Sequence, residues 1–274
     1  MAPRTVFKRY ELKYLMDEEQ TAAVLYSMDG HMKLDTYGRS SINNIYLDTD
    51  SHLLARRSIE KPMYKEKLRF RSYGQAKTDS KVFVELKKKY DSVVYKRRLS
   101  MPLDKAMAWF TTDTDDYPDT QIGREIDYMR QRYTGIHPSM MLCYEREAYY
   151  SQDNSDLRIT LDSNISARTY DVDLTKEPYG EPVMPEGYTL MEIKTMYGFP
   201  QWLNEALSGN RVYKTSFSKY GNAYKELVLG KTQEELYSSR PKTGMTHAAG
   251  DDLTGYLKMG TNNTKKVLAK AWPA

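Results

Sequence analysis

Three short segments of the chain alternate charged residues with apolar ones. The charged residues are Arg9, Glu11 and Lys13 in the first segment, Lys67, Arg69 and Arg71 in the second, and Glu85, Lys87 and Lys89 in the third. Because successive side chains of a β-strand point to opposite faces, each charged set lines one face of its strand. If these faces meet, they form a cationic cleft with a few carboxylates in it. Such a cleft suits a polyphosphate ligand and its metal ion.

Three later segments, at residues 144–147, 157–162 and 190–195, show the same alternation. The residues that share a face are Tyr144 with Arg146, then Arg158, Thr160 and Asp162, and then Glu192 with Lys194. Six strands of this kind predict a barrel with a polar lumen and helices over its apolar outer faces, the inverse of the usual small barrel. A polar, basic lumen costs stability, so we expect function to explain it.

A simpler interpretation stays open at this point. A strand with one charged face is also typical of a sheet that has one side in water and the other on a core. Two like charges about 6 Å apart repel by roughly 3 kcal/mol at an effective dielectric near 20, and by much less in water. A concave site would therefore need an anion to offset the repulsion, whereas a wet face would not.

The residue types fit phosphate and metal chemistry, with alternatives. The planar guanidinium of arginine can bond two phosphate oxygens at once, and lysine supplies a compact charge. The carboxylates of Glu11, Glu85 and Glu192 either hold a divalent cation such as Mg²⁺ or Mn²⁺ or pair with the neighbouring cations. The tyrosines and arginines of residues 64–73 could stack RNA bases, although tyrosine in a strand more often packs.

Composition excludes several function classes. The 274 residues carry 41 basic and 37 acidic side chains, and a net charge of +4 is too small for a general nucleic-acid binder. A single cysteine, Cys143, cannot form an internal disulfide, and its apolar neighbours predict a buried structural thiol. The absence of a secretion signal and of an apolar run of about 18 residues predicts a cytoplasmic protein without direct membrane insertion.

Strands dominate the predicted elements. We predict strands near residues 6–14, 42–49, 66–73, 81–90, 93–100, 140–149, 157–162 and 188–195. The predicted helices begin at a capping box of Asp17 and Gln20, at a cap on Asp50 or Ser51, at Pro102, near residue 120, at Pro200 and at Ser218. This order favours an α+β fold built on an antiparallel sheet or barrel.

The composition changes after Gly230. Residues 231–274 are rich in Lys, Thr, Gly and Asn and show weak periodicity. We therefore predict one domain over residues 1–230, followed by a polar appendage over 231–274 that has low order or is ordered only by docking.

The ordered set of short motifs resembles a known family. The motifs are Glu11–Tyr14, Tyr46–Thr49, Leu68–Arg71, Val84–Lys87, Tyr144–Arg146, Leu161–Asp162, Met191–Lys194 and Phe217–Tyr220. Together they resemble the VTC-type polyphosphate polymerase domain, a branch of the triphosphate tunnel metalloenzymes, over about residues 5–229. The resemblance implies an antiparallel barrel with a basic tunnel that takes the phosphates of a nucleoside triphosphate.

The resemblance also implies roles for individual residues. The predicted catalytic set is Lys13, Arg69, Arg71, Arg146, Arg158 and Lys219. The predicted phosphate- and nucleotide-binding set is Arg57, Lys87, Tyr144, Lys194, Ser218, Glu11 and Glu85. The predicted ligand of the metal, Mn²⁺ or Mg²⁺, is Glu192.

The implied activity is transfer of the γ-phosphate of ATP to a growing polyphosphate chain. Arg9 stands where the wider superfamily has the first glutamate of its opening motif, as in the VTC branch, which favours a polymerase. A triphosphatase that uses water as acceptor and a non-catalytic polyphosphate or nucleotide sensor are the alternatives. The expected partners are ATP and polyphosphate, with no nucleic acid.

Overall fold

One antiparallel sheet organises the computed structural model, which describes residues 10–91, 93–112, 114–153 and 156–237. Its strands are β1 (Tyr10–Met16), β2 (Met32–Asp48), β3 (Tyr64–Tyr73), β4 (Lys81–Tyr90), β5 (Val93–Pro102), β6 (His137–Ser151), β7 (Arg158–Arg168), β8 (Glu181–Pro182), β9 (Thr189–Thr195) and β10 (Lys214–Thr215). The helices are α1 (Glu18–Met28), α2 (Leu53–Glu60), α3 (Leu103–Thr111), α4 (Gln121–Arg132), α5 (Gln201–Gly209), α6 (Lys219–Leu227) and α7 (Gln233–Tyr237).

The strand order makes the sheet barrel-like. Hydrogen-bonded neighbours follow the order β10-β1-β9-β7-β6-β2-β3-β4-β5, and β8 pairs with β7 outside this path. Across the described ranges, the edge strands β5 and β10 share no ladder, so hydrogen bonds do not close the barrel. The predicted α+β fold with an antiparallel barrel is thus confirmed as a curved sheet with an open seam.

The pairing register brings opposite charges together. Lys13 of β1 lies opposite Glu192 of β9, and Arg69 of β3 lies opposite Glu85 of β4. Because side chains in register on neighbouring strands point to the same face, each cation reaches the carboxylate beside it. The predicted alternation therefore places the charged faces of these strands on a common inner side.

The apolar faces of β1, β3, β4, β7 and β9 point outward and are buried by helices. Helices α3 and α4 cover β3 and β4, where Phe70, Val84 and Trp109 belong to one core cluster. Helices α1 and α5 cover β1, β7 and β9, where Met16 and Leu203 belong to another. Each large side chain buried in this way contributes roughly 1.5–3 kcal/mol of hydrophobic stabilisation. The helix-covered outer face predicted from the sequence is confirmed.

A third cluster packs α2 and α6 against the inner face of the sheet, where Tyr46 lies in register with Arg69. It contains Tyr46, Leu142, Tyr144, Leu190 and Tyr220, all of them buried. The rings of Tyr46 and Tyr220 stack with centroids 4.2 Å apart, so α6 sits directly against β2. This packing fixes the beginning of α6, where the site described below is built.

Helix caps agree with the sequence in two cases and differ in one. Asp17 and Gln20 form the predicted capping box, and Ser218 caps α6 by accepting the N–H of Gly221. The predicted cap of α2 on Asp50 or Ser51 is wrong, because His52 stands at the N-cap position with a left-handed φ of 52°. The carboxylate of Asp48, at the end of β2, instead accepts the first amides of this helix at 2.9 and 2.8 Å.

The start of the predicted appendage contacts the domain. In α7, Gln233 donates to the carbonyl of Pro182 at 2.9 Å, and Tyr237 donates to the carbonyl of Val183 at 2.7 Å. The predicted boundary at residue 230 stays a prediction, because residues 238–274 lie outside the described residues. Arg9, which begins the first predicted charged set, also lies outside them. Within the described ranges, no helix has both the length and the apolar character that crossing a bilayer requires.

Candidate functional site

The first charged cluster on the inner face surrounds Glu192 and Asp162. Glu192 lies 3.1 Å from Lys13, 3.2 Å from Lys219 and 3.7 Å from Arg146. Arg146 donates from Nε and Nη2 to the two oxygens of Asp162 at 2.6 and 2.7 Å, and Lys219 also pairs with Asp162. Strands β1, β6, β7 and β9 and the first residue of α6 thus meet in one network.

The second cluster surrounds Glu85, which is only 2% exposed. Its carboxylate accepts from Arg69 at 2.8 and 2.9 Å, from Lys96 at 2.7 Å and from Arg98 at 2.7 Å, while Arg71 lies 3.8 Å away. One carboxylate therefore gathers cations from β3 and β5. Four cations around one anion leave this wall of the site strongly positive.

Contacts across the open seam join the two clusters. Glu11 of β1 lies 3.7 Å from Lys13 and 3.9 Å from Lys87 of β4. Lys67 of β3 donates to the hydroxyl of Ser218 at 2.9 Å. The inner faces of β1, β3 and β4 and the start of α6 therefore approach one another, so the charged surfaces form one concave site. We call this concave site the lumen.

Tyrosines at the rim of the apolar cluster orient the arginines. Arg69 donates to the hydroxyl of Tyr46 at 2.9 Å, and Arg71 donates to that of Tyr144 at 3.1 Å. The ammonium of Lys219 lies 4.8 Å from the centre of the Tyr144 ring, where its charge meets the negative face of the π-system. Burial would raise the pKa of Tyr46, but the charge and hydrogen bond of Arg69 outweigh it and lower that pKa.

The electrostatics of the acids follow from their cationic neighbours. Burial would raise the pKa of Glu192, but the ammonium groups of Lys219 and Lys13 outweigh it and hold the pKa well below its usual value. The pKa of Glu85 is lowered in the same way, with Arg69 as the strongest opposing charge. Both carboxylates are therefore ionised at neutral pH.

Cations nevertheless outnumber carboxylates on the inner face. The inward-facing acids in the described part of the chain are Glu11, Glu85, Asp162 and Glu192, together with Asp48, whose carboxylate is engaged by amides of α2 and by the hydroxyl of Tyr220. The inward-facing cations include Lys13, Lys67, Arg69, Arg71, Lys87, Lys96, Arg98, Arg146, Arg158, Lys194 and Lys219. Several positive charges thus have no acid of their own, and a polyanion would offset them.

The donor set suits a divalent cation that arrives with its ligand. Mg²⁺ and Mn²⁺ prefer oxygen ligands, and Mg²⁺ is commonly held by one or two carboxylates plus substrate phosphates. Glu192 offers such a carboxylate inside the lumen. Since the described residues contain no cluster of three or more His, Cys, Asp or Glu suited to a metal, the remaining ligands would have to come from phosphate and water.

Most of the predicted site residues come together in the lumen. Those with direct polar contacts in the two clusters or across the seam are Lys13, Arg69, Arg71, Lys87, Tyr144, Arg146, Glu11, Glu85, Glu192, Lys194, Ser218 and Lys219. Arg158 shares their face, but it is exposed at one end of β7 and bonds the carbonyl of Leu157 at 3.1 Å.

Arg57 is the predicted residue that the structure does not bring into the lumen clusters. Its guanidinium contacts the hydroxyl of Tyr133 at 3.4 Å, and Tyr133 belongs to the outer core cluster over β3 and β4. Its predicted role in phosphate binding therefore finds no geometric support. The position of Arg57 depends on how α2 docks against Tyr133, which is distant in sequence.

Four charged lumen residues were missed as site residues, one of them Lys67, although its place on a charged face was predicted. Lys96 and Arg98 bind Glu85 from β5, and Asp162 binds Arg146 from β7. The signal for Asp162 was present, because it alternates with Leu161 on a charged face. Lys96 and Arg98 flank Arg97, so this segment carries charged residues on both faces of its strand. The alternation of charged and apolar residues that marks the other inner faces is therefore not visible in its sequence.

Comparisons with known proteins give one family match that spans most of the chain. The sequence profile of the VTC domain matches residues 8–228. No curated protein matches the chain significantly in sequence.

Solved structures give distant matches. A protein from Vibrio parahaemolyticus proposed to be an adenylate cyclase shares 12% identity at a TM-score of 0.42, covering 77% of this chain and 95% of its own. A second protein proposed to be an adenylate cyclase, from Bacillus halodurans, shares 13% sequence identity at a TM-score of 0.48. The match covers 77% of this chain and 94% of that protein. A candidate adenylyl cyclase from Hippeastrum, described as having a dominant triphosphatase activity, shares 13% sequence identity at a TM-score of 0.47. The match covers 81% of this chain and 97% of that protein. Identities this low transfer no activity to this chain.

Proposed function

Because the chain belongs to the VTC domain family, we propose that it transfers the γ-phosphate of ATP to a growing polyphosphate chain and releases ADP. The observation that carries the proposal is the excess of cations over carboxylates on the inner face. A string of phosphates has the charge density that would relieve this excess, and a lumen built from several strands can follow an extended ligand.

Phosphoryl transfer depends on positioning and charge neutralisation more than on a covalent group of the protein. Arg69, Arg71, Arg146 and Arg158 would neutralise the charge of the transferring group. Lys13 and Lys219 would orient the γ-phosphate, with Ser218 beside them at the start of α6. The nucleophile would be an oxygen of the terminal phosphate of the chain, or of orthophosphate at the first step.

The arginines are held in place before any ligand binds. Arginine has five N–H donors in a fixed plane, and Asp162 takes those of Arg146 on Nε and Nη2. Glu85 holds Arg69 by the same two nitrogens, and Tyr46 accepts from Nη1. The carboxylates thereby fix the guanidinium planes, so less side-chain entropy is lost when phosphate oxygens bind.

Glu192 is the residue that would hold a divalent metal in the lumen. Bound there with the phosphates, Mn²⁺ or Mg²⁺ would act as a Lewis acid on phosphate oxygens. Lys13 and Lys219, which now neutralise Glu192, would then turn toward the phosphate oxygens.

The test is incubation of the protein with ATP and Mn²⁺, followed by separation of the products on a gel stained for polyphosphate. We expect long chains and ADP. Orthophosphate alone would contradict the proposal in favour of a triphosphatase, and binding without turnover would contradict it in favour of a sensor.

Matched variants on one strand tie the activity to the lumen. Lys87 faces inward toward Glu11, whereas Lys88, the next residue of β4, faces outward toward Glu125. We expect Lys87→Ala to lower product formation by about tenfold, a loss of about 1.4 kcal/mol of phosphate binding, and Lys88→Ala to leave it unchanged. Arg71→Ala should abolish product formation while the fold is retained, as circular dichroism would check.

A further inference from the structure

Lys67 occupies a special position in the lumen. It lies on β3 two residues before Arg69, on the same inner face, and is half-buried. Its amine donates to the Ser218 hydroxyl at 2.9 Å, and that hydroxyl also accepts the N–H of Gly221 at 3.0 Å. The amine therefore lies beside the first turn of α6, whose partial positive charge disfavours a cation.

Lys67 also lacks the acid that most of the lysines deeper in the lumen have. A carboxylate lies within 4.0 Å of five inner lysines, which are Lys13, Lys87, Lys96, Lys194 and Lys219. Among the described residues, none lies within that distance of Lys67. Unlike those five lysines, Lys67 has no carboxylate to compensate for the hydration that its amine loses on burial.

The charged groups around Lys67 are mostly cations. Lys13 faces it from β1, Lys65 and Arg69 from β3, and Lys87 from the opposite position on β4. On β2, the carboxylate of Asp48 is engaged by the amides of α2 and by the hydroxyl of Tyr220. Burial, with these cations added, holds the pKa of Lys67 well below its usual value.

We propose that Lys67 is a phosphate ligand whose amine is uncharged in the empty lumen and takes up a proton as a phosphate chain binds. The inference rests on the proposed function, since it assumes that the lumen binds phosphate chains. The entering anion lies between Lys67 and the cations around it, so the ammonium form gains the partner that it lacks.

The proton has a defined source in each case. When the chain enters with a protonated terminal phosphate, its O–H bond breaks, the electron pair stays on oxygen, and a new N–H bond forms on Lys67. The terminal oxygen then carries the charge that makes it a nucleophile. When the ligand enters fully ionised, the solvent supplies the proton instead.

Calorimetry of inorganic tripolyphosphate binding, in buffers that differ in ionisation enthalpy, counts the protons taken up. At about pH 9, where the ionisation of the ligand is the same for both proteins, we expect the wild type to take up about one proton more than Lys67→Arg. The arginine is charged in both the empty and the ligand-bound protein. This variant should therefore keep the affinity for tripolyphosphate and lose the proton uptake on binding. Lys67→Met should lose the uptake and bind at least tenfold more weakly.

The outcomes separate the two proposals. Equal proton uptake by the wild type and Lys67→Arg, both of which bind, would overturn the assignment of Lys67 and leave the proposed function intact. The absence of any binding heat with the wild type would overturn the proposed function, and the assignment of Lys67 with it. Thermal melting of Lys67→Arg checks that the variant is folded.

Discussion

Glu85 is the residue whose replacement most sharply tests whether the inner cations need an anion. Its carboxylate is buried and accepts hydrogen bonds from Arg69, Lys96 and Arg98. Glu85→Gln removes the charge and keeps the volume. We expect it to destabilise the empty protein and to strengthen the binding of a phosphate chain, because the cations then lack their own carboxylate.

The magnitude follows from the burial of the group and of its partners. Breaking a fully buried ion pair costs about 3–5 kcal/mol. Glu85 is 2% exposed, but the side chains of Arg69 and Lys96 are 23% and 45% exposed. Water therefore screens part of the interaction, and we expect a loss of about 2–3 kcal/mol in the free energy of unfolding at neutral pH.

The pH dependence has a definite sign. The cations hold the pKa of Glu85 below its ordinary value, so its contribution is present above the unfolded pKa of about 4.3 and is lost as pH falls through the folded pKa. Denaturant unfolding should thus show the largest gap between wild type and Glu85→Gln at neutral pH, and a shrinking gap below about pH 4.

Tripolyphosphate supplies the test of the binding claim. Its negative charge should replace that of Glu85. The difference in the free energy of unfolding between the wild type and Glu85→Gln should therefore become smaller when the ligand is added. By linkage, the same free energy appears as tighter binding to Glu85→Gln, about tenfold for each 1.4 kcal/mol.

A matched control lies on the outer side of the same two strands. Glu125 lies 3.1 Å from Arg97 of β5 and 3.8 Å from Lys88 of β4, and its side chain is 25% exposed. Glu125→Gln should cost at most about 1 kcal/mol, with no effect of tripolyphosphate. Equal losses for the two variants, and no response of Glu85→Gln to the ligand, would refute the reasoning.

Three further expectations concern other groups. Glu192→Gln should raise the Mn²⁺ concentration needed for product formation by about tenfold or more, measured by metal titration, and an unchanged requirement would rule out this ligand. Arg98→Ala, on the inner face, should weaken tripolyphosphate binding by roughly tenfold, whereas Arg97→Ala should not; equal affinities in calorimetry would contradict this. Burial raises the pKa of Glu226 from 4.5 to about 7. The free energy of unfolding therefore falls as pH rises between these values, because the carboxyl group ionises more readily in the unfolded chain. Glu226→Gln should therefore stabilise by about 1–2 kcal/mol at pH 8, after discounting for its partial exposure, and not at pH 4; thermal melts showing equal gains at both would refute the burial argument.

The inner face of the central strands was predictable because a strand has a local period of two. Lys13, Arg69 and Glu192 each alternate with apolar neighbours, so their strands could turn the charged side only away from the core. The burial of Cys143, 2% exposed with its pKa raised to about 11 by burial, follows from the same local logic.

Features that depend on register or docking were not predictable. Lys96 and Arg98 reach Glu85 only because β5 pairs in register with β4. The partner of Arg146 depends on a bulge between Cys143 and Glu145 in the ladder with β7. Such pairings join segments that are separate in sequence, so no local pattern encodes them.

The start of β2 and the cap of α2 show the same limit. The strand begins at Met32, ten residues before the predicted start, because it continues as a ladder with β6 past an irregularity between Leu34 and Arg39. Asp48 caps α2 across a turn whose left-handed residue is a histidine and not a glycine. Both features follow from pairing and turn geometry that composition does not reveal.

A crystal structure with bound inorganic tripolyphosphate would test the central claim most directly. We expect its phosphates to lie among Arg69, Arg146 and Lys219, on the inner face of the sheet, and to contact Lys67 as well. A ligand found on the outer surface instead, with the inner arginines still bound only to Glu85 and Asp162, would contradict the account.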